Sequence, residues 1–584
     1  MAERTERAKH GQRPVAILPI LPFSPFFFMI IEVLMKLVTT LGRHASHRFI
    51  TFTLNLFRQR NRMAFSPDLS LPEPQPGQER FAPDPRKRVW TGEEIFALDV
   101  RSLALFRISV ALVILMDLYL RAFDLAAHYT DFGLLPRPIA ITEYATQGLL
   151  SLHFLGGGTL SQIGLFFIAA CCAAGLLLGY RTRLMTILSW LLLVSLHNRN
   201  PMVLDAGDVL LRLLLFWAMF LPLGATYSLD GVLTPPVRAF PERVRSIGTI
   251  ALILQICFVY WFTVALKHDP VWRTEGSAVY YALNLDSFAT PFGLWLRQFP
   301  TVLPLLSFAT LIIEAIGPCL LFLPIFHVPL RFFAVCMFLG LHIGFALCLD
   351  LGIFPFIVGA AWLALLPSWF WNSLTIPTDL SVSRKFTLQH RLEGWLGKTR
   401  YLRVAAAAHP PLWRPTVSTL FCVLCLVYIF CWNLRTVDFA RYSTVFPVGY
   451  NWFGHTLRID QMWGMFAPKP ASDDGWYVIP ARLRDGSVMN LMTDGGPIAW
   501  EKPVHVAATY RNQRWRKYLR NVWEQEHSHH RLYFGQYLCR DWNARHAGAL
   551  TLATFEIFYV KEETLPNGEI ASPERVLLWS HRCF

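Results

Sequence analysis

Long apolar runs separated by short polar breaks make up most of the chain. Those near the ~20 residues needed to cross a bilayer fall at about 103–121, 160–180, 184–198, 208–224, 247–266, 303–325, 328–348, 353–371 and 415–433. About nine transmembrane helices are therefore predicted, the third one short and either tilted or extended by its polar end. A further apolar run at 15–39 contains Pro19, Pro22 and Pro25, which argue against a straight spanning helix. A kinked span, a hairpin dipping into the membrane and an amphipathic anchor all fit it. It lacks a small-residue cleavage site and is not read as a signal peptide. After residue 434 the pattern changes to short alternating pieces, 476–483 and 552–560, punctuated by turns at Asp485-Gly486, Asp494-Gly495-Gly496 and Pro566-Asn567-Gly568. A small β-rich soluble domain with one helical insert around 514–526 is expected there. The predicted fold class is thus an α-helical multi-pass membrane protein with a small C-terminal β-rich domain. Its expected parts are a basic, partly disordered lead-in (1–95), a transmembrane domain (96–434) and an outer domain (435–584).

Composition agrees with this class. Of 584 residues 54% are hydrophobic and only 16% charged, against roughly 25% charged in a soluble chain. The net charge of +14 gives no nucleic-acid signal once the cations are placed, because they alternate with the loops. Arg43 to Arg88, Arg181 and Arg183, Arg238 to Arg245, Arg331, and Arg384 to Arg414 fall on one side. By the positive-inside rule that side is cytoplasmic. The other loops hold His128, the His197 to Asp208 stretch, the Lys267 stretch and Asp350, so these and the C-terminal domain are expected outside a cell (inner) membrane. The bilayer is the first expected partner. If 15–39 also spanned, Arg4, Arg7, Lys9 and Arg13 would lie outside, which counts against a full crossing.

Nine of the eleven cysteines lie in or beside apolar runs, where cysteine behaves as a small hydrophobe. Cys422 and Cys425 are C-x-x-C spaced but sit within an apolar helix. Cys539 and Cys583 belong to the outer domain, where a disulfide and two buried thiols remain equal alternatives. Polar groups at membrane depth are the main functional signal, because they are costly there and usually face a cavity. His197, Asn198 and Asn200, followed by Asp208, read either as a hydrogen-bonded outer loop or as the wall of a pocket. Lys267, His268 and Asp269 end one apolar run, so Lys267 is either an interface anchor or a desolvated amine. Glu314, mid-run, needs a partner, for which Lys267 and His342 are candidates. His527, His529 and His530 lack zinc spacing and read as a solvated loop, so no metal is expected.

Asp99-Val-Arg101-Ser-Leu-Ala-Leu-Phe-Arg107, His197-Asn-Arg-Asn-Pro201, Gly207-Asp208-Val-Leu-Leu-Arg212 and the 265–276 stretch, aligned on Lys267, Asp269 and Trp272, resemble the horizontally transferred transmembrane (HTTM) domain. That domain is shared by the vitamin K-dependent gamma-carboxylase and many bacterial membrane proteins, and the resemblance covers about 96–375. It implies that Lys267 is a lumen-facing general base acting on a quinol. In the carboxylase this step starts an oxygen-dependent epoxidation coupled to glutamate carboxylation. The carboxylase's large luminal region is absent here. Residues 435–584 resemble instead the tail of bacterial HTTM proteins, whose motifs imply no substrate.

Two function classes follow. One is an enzyme with Lys267, His268, Asp269, Glu314 and His342 as catalytic candidates. His197, Asn198, Asn200, Asp208 and Trp272 would then bind a lipophilic, quinol-like molecule. The other is a non-enzymatic carrier or assembly factor whose outer domain holds an exported protein or peptide, with Lys267 anchored to Asp269.

Overall fold

The computed structural model describes residues 92–145, 148–233, 241–374, 415–566, 569 and 571–583, all within one compact unit, Arg86–Phe584. Most of the expected lead-in, including the apolar run at 15–39, and the basic loop at 375–414 lie outside them.

Six helices are long and apolar enough to cross a membrane. They are α1 (Val100–Ala122), α3 (Thr159–Leu178), α6 (Ile247–Leu266), α7 (Leu303–Ile316, continued by a 3-10 turn through Phe322), α8 (His327–Cys348) and α11 (Pro415–Val437). A seventh arises if α9 (Phe354–Leu363) and α10 (Ser368–Leu374), bent by 88°, form one broken span. The bend falls at Pro367, which cannot continue the helix and pushes its predecessor into extended backbone. Two runs expected to span are not among these helices. α5 (Ala206–Ala218) has 13 residues, about 20 Å at 1.5 Å per residue, against a hydrocarbon core of about 30 Å. α4 (Thr182–Arg199) ends in a buried polar turn, Ser195 to Arg199. Between α1 and α3 lies the short helix α2 (Arg137–Tyr144).

The bundle is built around α6. Every residue from Gly248 to Tyr260 is buried, so this helix is apolar on all sides because it has protein on all sides. Ser246 and Thr249 start it with a reciprocal capping box, which satisfies two otherwise orphan amides. α3, α8 and α11 instead leave Leu160, Phe167, Phe333, Ile343, Leu420 and Leu424 exposed, faces suited to lipid. Arg331, expected among the loop cations, is buried, its guanidinium held by the carbonyls of Leu365, Ile95 and Ala97.

The C-terminal region is a five-stranded antiparallel sheet with two helices. The central strand β6 (Leu552–Glu563) pairs with β7 (Glu574–Arg582) on one edge, and with β3 (Asp473–Val478) and β4 (Pro480–Leu483) in succession on the other. β5 (Val488–Asn490) extends the sheet from β4; the pair β1 (Leu98–Asp99) and β2 (Arg243–Val244) lies apart from it. Strand β3 needs Gly475, where a Cβ would lie 2.1 Å from the Val560 carbonyl oxygen. The expected helical insert is α12 (Gln513–Trp523), and a second helix, α13 (His530–Arg545), follows it. Cys539 on α13 and Cys583 after β7 are joined by a disulfide, with Cα atoms 5.6 Å apart. Cys422 and Cys425 are buried free thiols.

This region shares its core with the loops of the bundle. Ala127, Leu134, Met202 and Val203 are buried in one apolar cluster with Trp515, Tyr518, Phe534 and Ile557. Asn512 donates to Asp124 at 2.6 Å, Arg516 to Asp350 at 2.8 Å, Tyr280 to the Leu565 carbonyl at 3.0 Å, and Asp474 accepts from the Ser287 amide at 2.8 Å. The four loops that charge alternation placed together are thus gathered at the end of the bundle that carries the sheet.

Candidate functional site

Two buried polar clusters stand at that end, and one strap of chain runs past both. The first is built on the last turn of α6. Lys267 directly follows the helix, and its ammonium donates to Glu314 of α7 at 2.6 Å, with the two side chains 3% and 6% exposed. Such burial makes the pair an almost dry ion pair, in which each charge depends on the other. The ammonium also lies 4.1 Å from the centre of the Trp272 ring, a cation–π contact on its remaining side. Trp272 is fixed in turn by its indole N–H on the Phe466 carbonyl at 2.9 Å.

Local sequence explains why the chain turns here. Asp269 caps the one-turn helix Pro270–Arg273 by accepting from the Val271 amide at 3.0 Å, and Pro270 suits its first position. Arg273 reaches back to the carbonyls of Lys267 and Val264 at 2.7 and 2.8 Å, which satisfies the orphan acceptors at the end of α6. Gly276 closes the stretch at φ +69°, where a Cβ would lie 2.7 Å from the Phe308 ring. Both the left-handed backbone and the close approach require glycine.

The catalytic candidates therefore divide. Lys267, Glu314 and the binding candidate Trp272 come together. Asp269 is a cap, so the pairing of Lys267 with Asp269 considered in the non-enzymatic reading is replaced by the pairing with Glu314. His268 is exposed. His342 is buried, but its Nε2 meets the Tyr260 hydroxyl at 3.0 Å, and that hydroxyl accepts from the Trp362 indole at 2.8 Å.

The second cluster gathers around Asp208. Arg121 of α1 donates to Asp208 at 2.5 Å and to Asp117 at 2.7 Å. From α12, Arg514 donates to Asp117 at 2.9 Å and grips both oxygens of Asp208. His197 lies 3.4 Å from Asp208. Asp117 and Asp208 face two guanidiniums, and a third carboxylate, Asp205, lies 3.7 Å from Arg514. Asn198 donates to the Leu150 carbonyl at 2.6 Å and accepts from Arg458, while Asn200 donates to the His128 carbonyl at 2.9 Å. These bonds hold the stretch as a hydrogen-bonded loop, and Arg514 joins it to the C-terminal region.

The strap is 458–466. Arg458 contacts Asn198, and Arg212 donates to the Arg458 carbonyl at 2.9 Å and to Asp460 at 2.8 Å. Gln461 accepts from Gln255 of α6 at 2.9 Å and from Trp463 at 2.7 Å. The Trp463 carbonyl accepts from Thr263 at 3.1 Å, and the Phe466 carbonyl holds Trp272. The strap thus links the Asn198 side to the lysine side.

Asp117, Arg121, Arg273 and Gln461 escaped the sequence reading as site residues. The first two carried a usable signal, an i,i+4 acid–base pair late in an apolar helix. His530, read as part of a solvated loop, is 1% exposed. It turns inward where α13 packs on the loop before α2, with Arg540 donating to the carbonyls of Phe132 and Gly133 at 3.1 and 3.0 Å.

Comparison with curated proteins and with solved structures returns no match. Residues 97–369 match the family model of the HTTM domain, a segment that runs from β1 to the start of α10 and contains Lys267, Trp272, Glu314 and Asp208. With its long apolar helices, this chain is a membrane protein carrying an HTTM domain over residues 97–369.

Proposed function

We propose that the HTTM domain deprotonates a lipophilic, quinol-like hydroxyl, with Lys267 as the general base and Glu314 as its proton partner. One observation carries the reading: a lysine and a glutamate 2.6 Å apart, both buried, at the end of the central helix. In a dry site the resting pair can pass its proton from Nζ to the Glu314 oxygen, leaving a neutral amine and a neutral acid. The amine then takes the proton of the substrate hydroxyl, and the new ammonium faces the oxyanion it has produced. Trp272 offers a flat wall for an aromatic ring.

Lys267→Arg tests the reading. Arginine keeps the charge and the pairing with Glu314 but cannot become a neutral base. Wild-type protein in nanodiscs is expected to accelerate the oxidation of a reduced naphthoquinol by dissolved dioxygen to quinone and hydrogen peroxide, a reaction that starts from the quinol anion, and the variant to lose that acceleration by roughly a hundredfold or more. Full activity in the variant would remove the base.

The sidedness of the loops and the Cys539–Cys583 disulfide support an outer, oxidising location for the C-terminal region. A second reading, an assembly factor that holds an exported protein, draws on the docking of that region through Arg514. It predicts that an exported partner co-purifies with wild type and Lys267→Arg alike.

A further inference from the structure

We propose that Glu143, His529 and His530 form a divalent transition-metal site of the zinc class, which clips α13 of the C-terminal region to α2 of the HTTM domain. Glu143 lies on α2, and the two histidines stand at the start of α13, 386 and 387 residues further along the chain. Each imidazole presents its Nε2 to a different oxygen of the one carboxylate, His529 at 3.2 Å from Oε1 and His530 at 3.3 Å from Oε2. The donor atoms all lie within 4.8 Å of one another. Ligands held about 2.0–2.1 Å from a tetrahedral zinc are about 3.3 Å apart, so the existing spacings need little adjustment. Two imidazoles and a carboxylate form a borderline donor set that favours zinc over calcium or magnesium. The Tyr144 hydroxyl is 3.4 Å from the same His530 nitrogen and places another oxygen at the rim.

Burial grades across the site, from His530 inside, through the half-buried Glu143, to the exposed His529. A cation therefore has an entry path and a partly dry seat. In the cluster around Asp117, His197 and Asp208 the carboxylate oxygens are already occupied by Arg121 and Arg514. At Glu143 one carboxylate and two imidazoles from a distant part of the chain converge within reach of a single divalent ion.

The test uses the full-length chain in nanodiscs, without an affinity tag, stripped with chelator and titrated with Zn²⁺ alone. One equivalent is expected to bind at neutral pH. His529→Ala and Glu143→Gln are each expected to weaken binding at least about tenfold, while His505→Ala, at an exposed histidine elsewhere in the region, leaves it unchanged. Cobalt in place of zinc should give visible absorbance that His529→Ala removes. His529 is exposed, so its loss leaves the fold intact, as the gel-filtration profile will report. Absence of stoichiometric zinc binding by the wild type, or binding as tight in both variants as in the wild type, overturns the site.

Discussion

A buried charge is only as stable as its partner, and Lys267 with Glu314 shows what that means for a single side chain. Removing one member strands the other in a dry environment, at a cost of about 3–5 kcal/mol, whereas removing both leaves an apolar contact that costs far less. Glu314→Gln alone should therefore lower the unfolding temperature more than the double change Glu314→Gln with Lys267→Met, and a thermal-shift series in detergent will show the order. Gly276 illustrates a different constraint. Gly276→Ala adds a methyl that must meet the Phe308 ring at a backbone angle alanine avoids. A loss of about 1–3 kcal/mol is expected, readable in the same assay.

At the scale of elements, legibility followed the physics that forms them. Long apolar helices are written as composition, so six of the nine predicted spans correspond to helices that can cross a membrane. The remainder depended on context. α5 is apolar because α1, α6 and α9 enclose it, and a helix buried in protein reads like one buried in lipid. The run at 353–371 reads as one span, whereas the fold turns by 88° between α9 and α10 at Pro367. Within the site, the Lys267 stretch was legible because polar residues at the end of an apolar run stand out. Its partner was open, since Glu314 is 47 residues away in sequence and only helix packing gives Glu314 the lysine rather than His342. α13 escaped because its apolar residues face several directions and give no clear period. Strand β3 carries a further expectation. Burial pushes the Asp474 carboxyl up from 3.8 to about 6, with some repulsion from Asp286. Between those values the folded chain holds a proton that the unfolded chain has lost, so this contribution is full below 3.8 and falls away as pH rises through about 6. Asp474→Asn, which keeps an acceptor for the Ser287 amide, should flatten the decline in unfolding temperature between about pH 4 and 6.5.

For the whole molecule, the important joint is the one between helices and sheet. Arg514 is the sheet region's contribution to a charge cluster that is otherwise made by α1, α5 and the Asp205 cap of α5. Arg514→Met leaves Asp117 and Asp208 facing one guanidinium, with Asp205 also deprived of its partner, and the excess negative charge is buried. The variant should expose the cleft between α12 and α1, detected as faster hydrogen exchange in α12 and the 197–208 loop, with α6 unaffected. Exchange unchanged in α12 would mean that the apolar cluster alone holds the joint.

That apolar cluster has a consequence for how the protein is made. Ala127, Leu134, Met202 and Val203 complete a core whose other residues emerge from the ribosome some three hundred positions later. The sheet region therefore matures on a template, and its last hydrophobic surfaces are covered only when the early helices have been inserted and their loops delivered to the same side. Expressed alone, residues 435–584 would present that uncovered surface to solvent and aggregate.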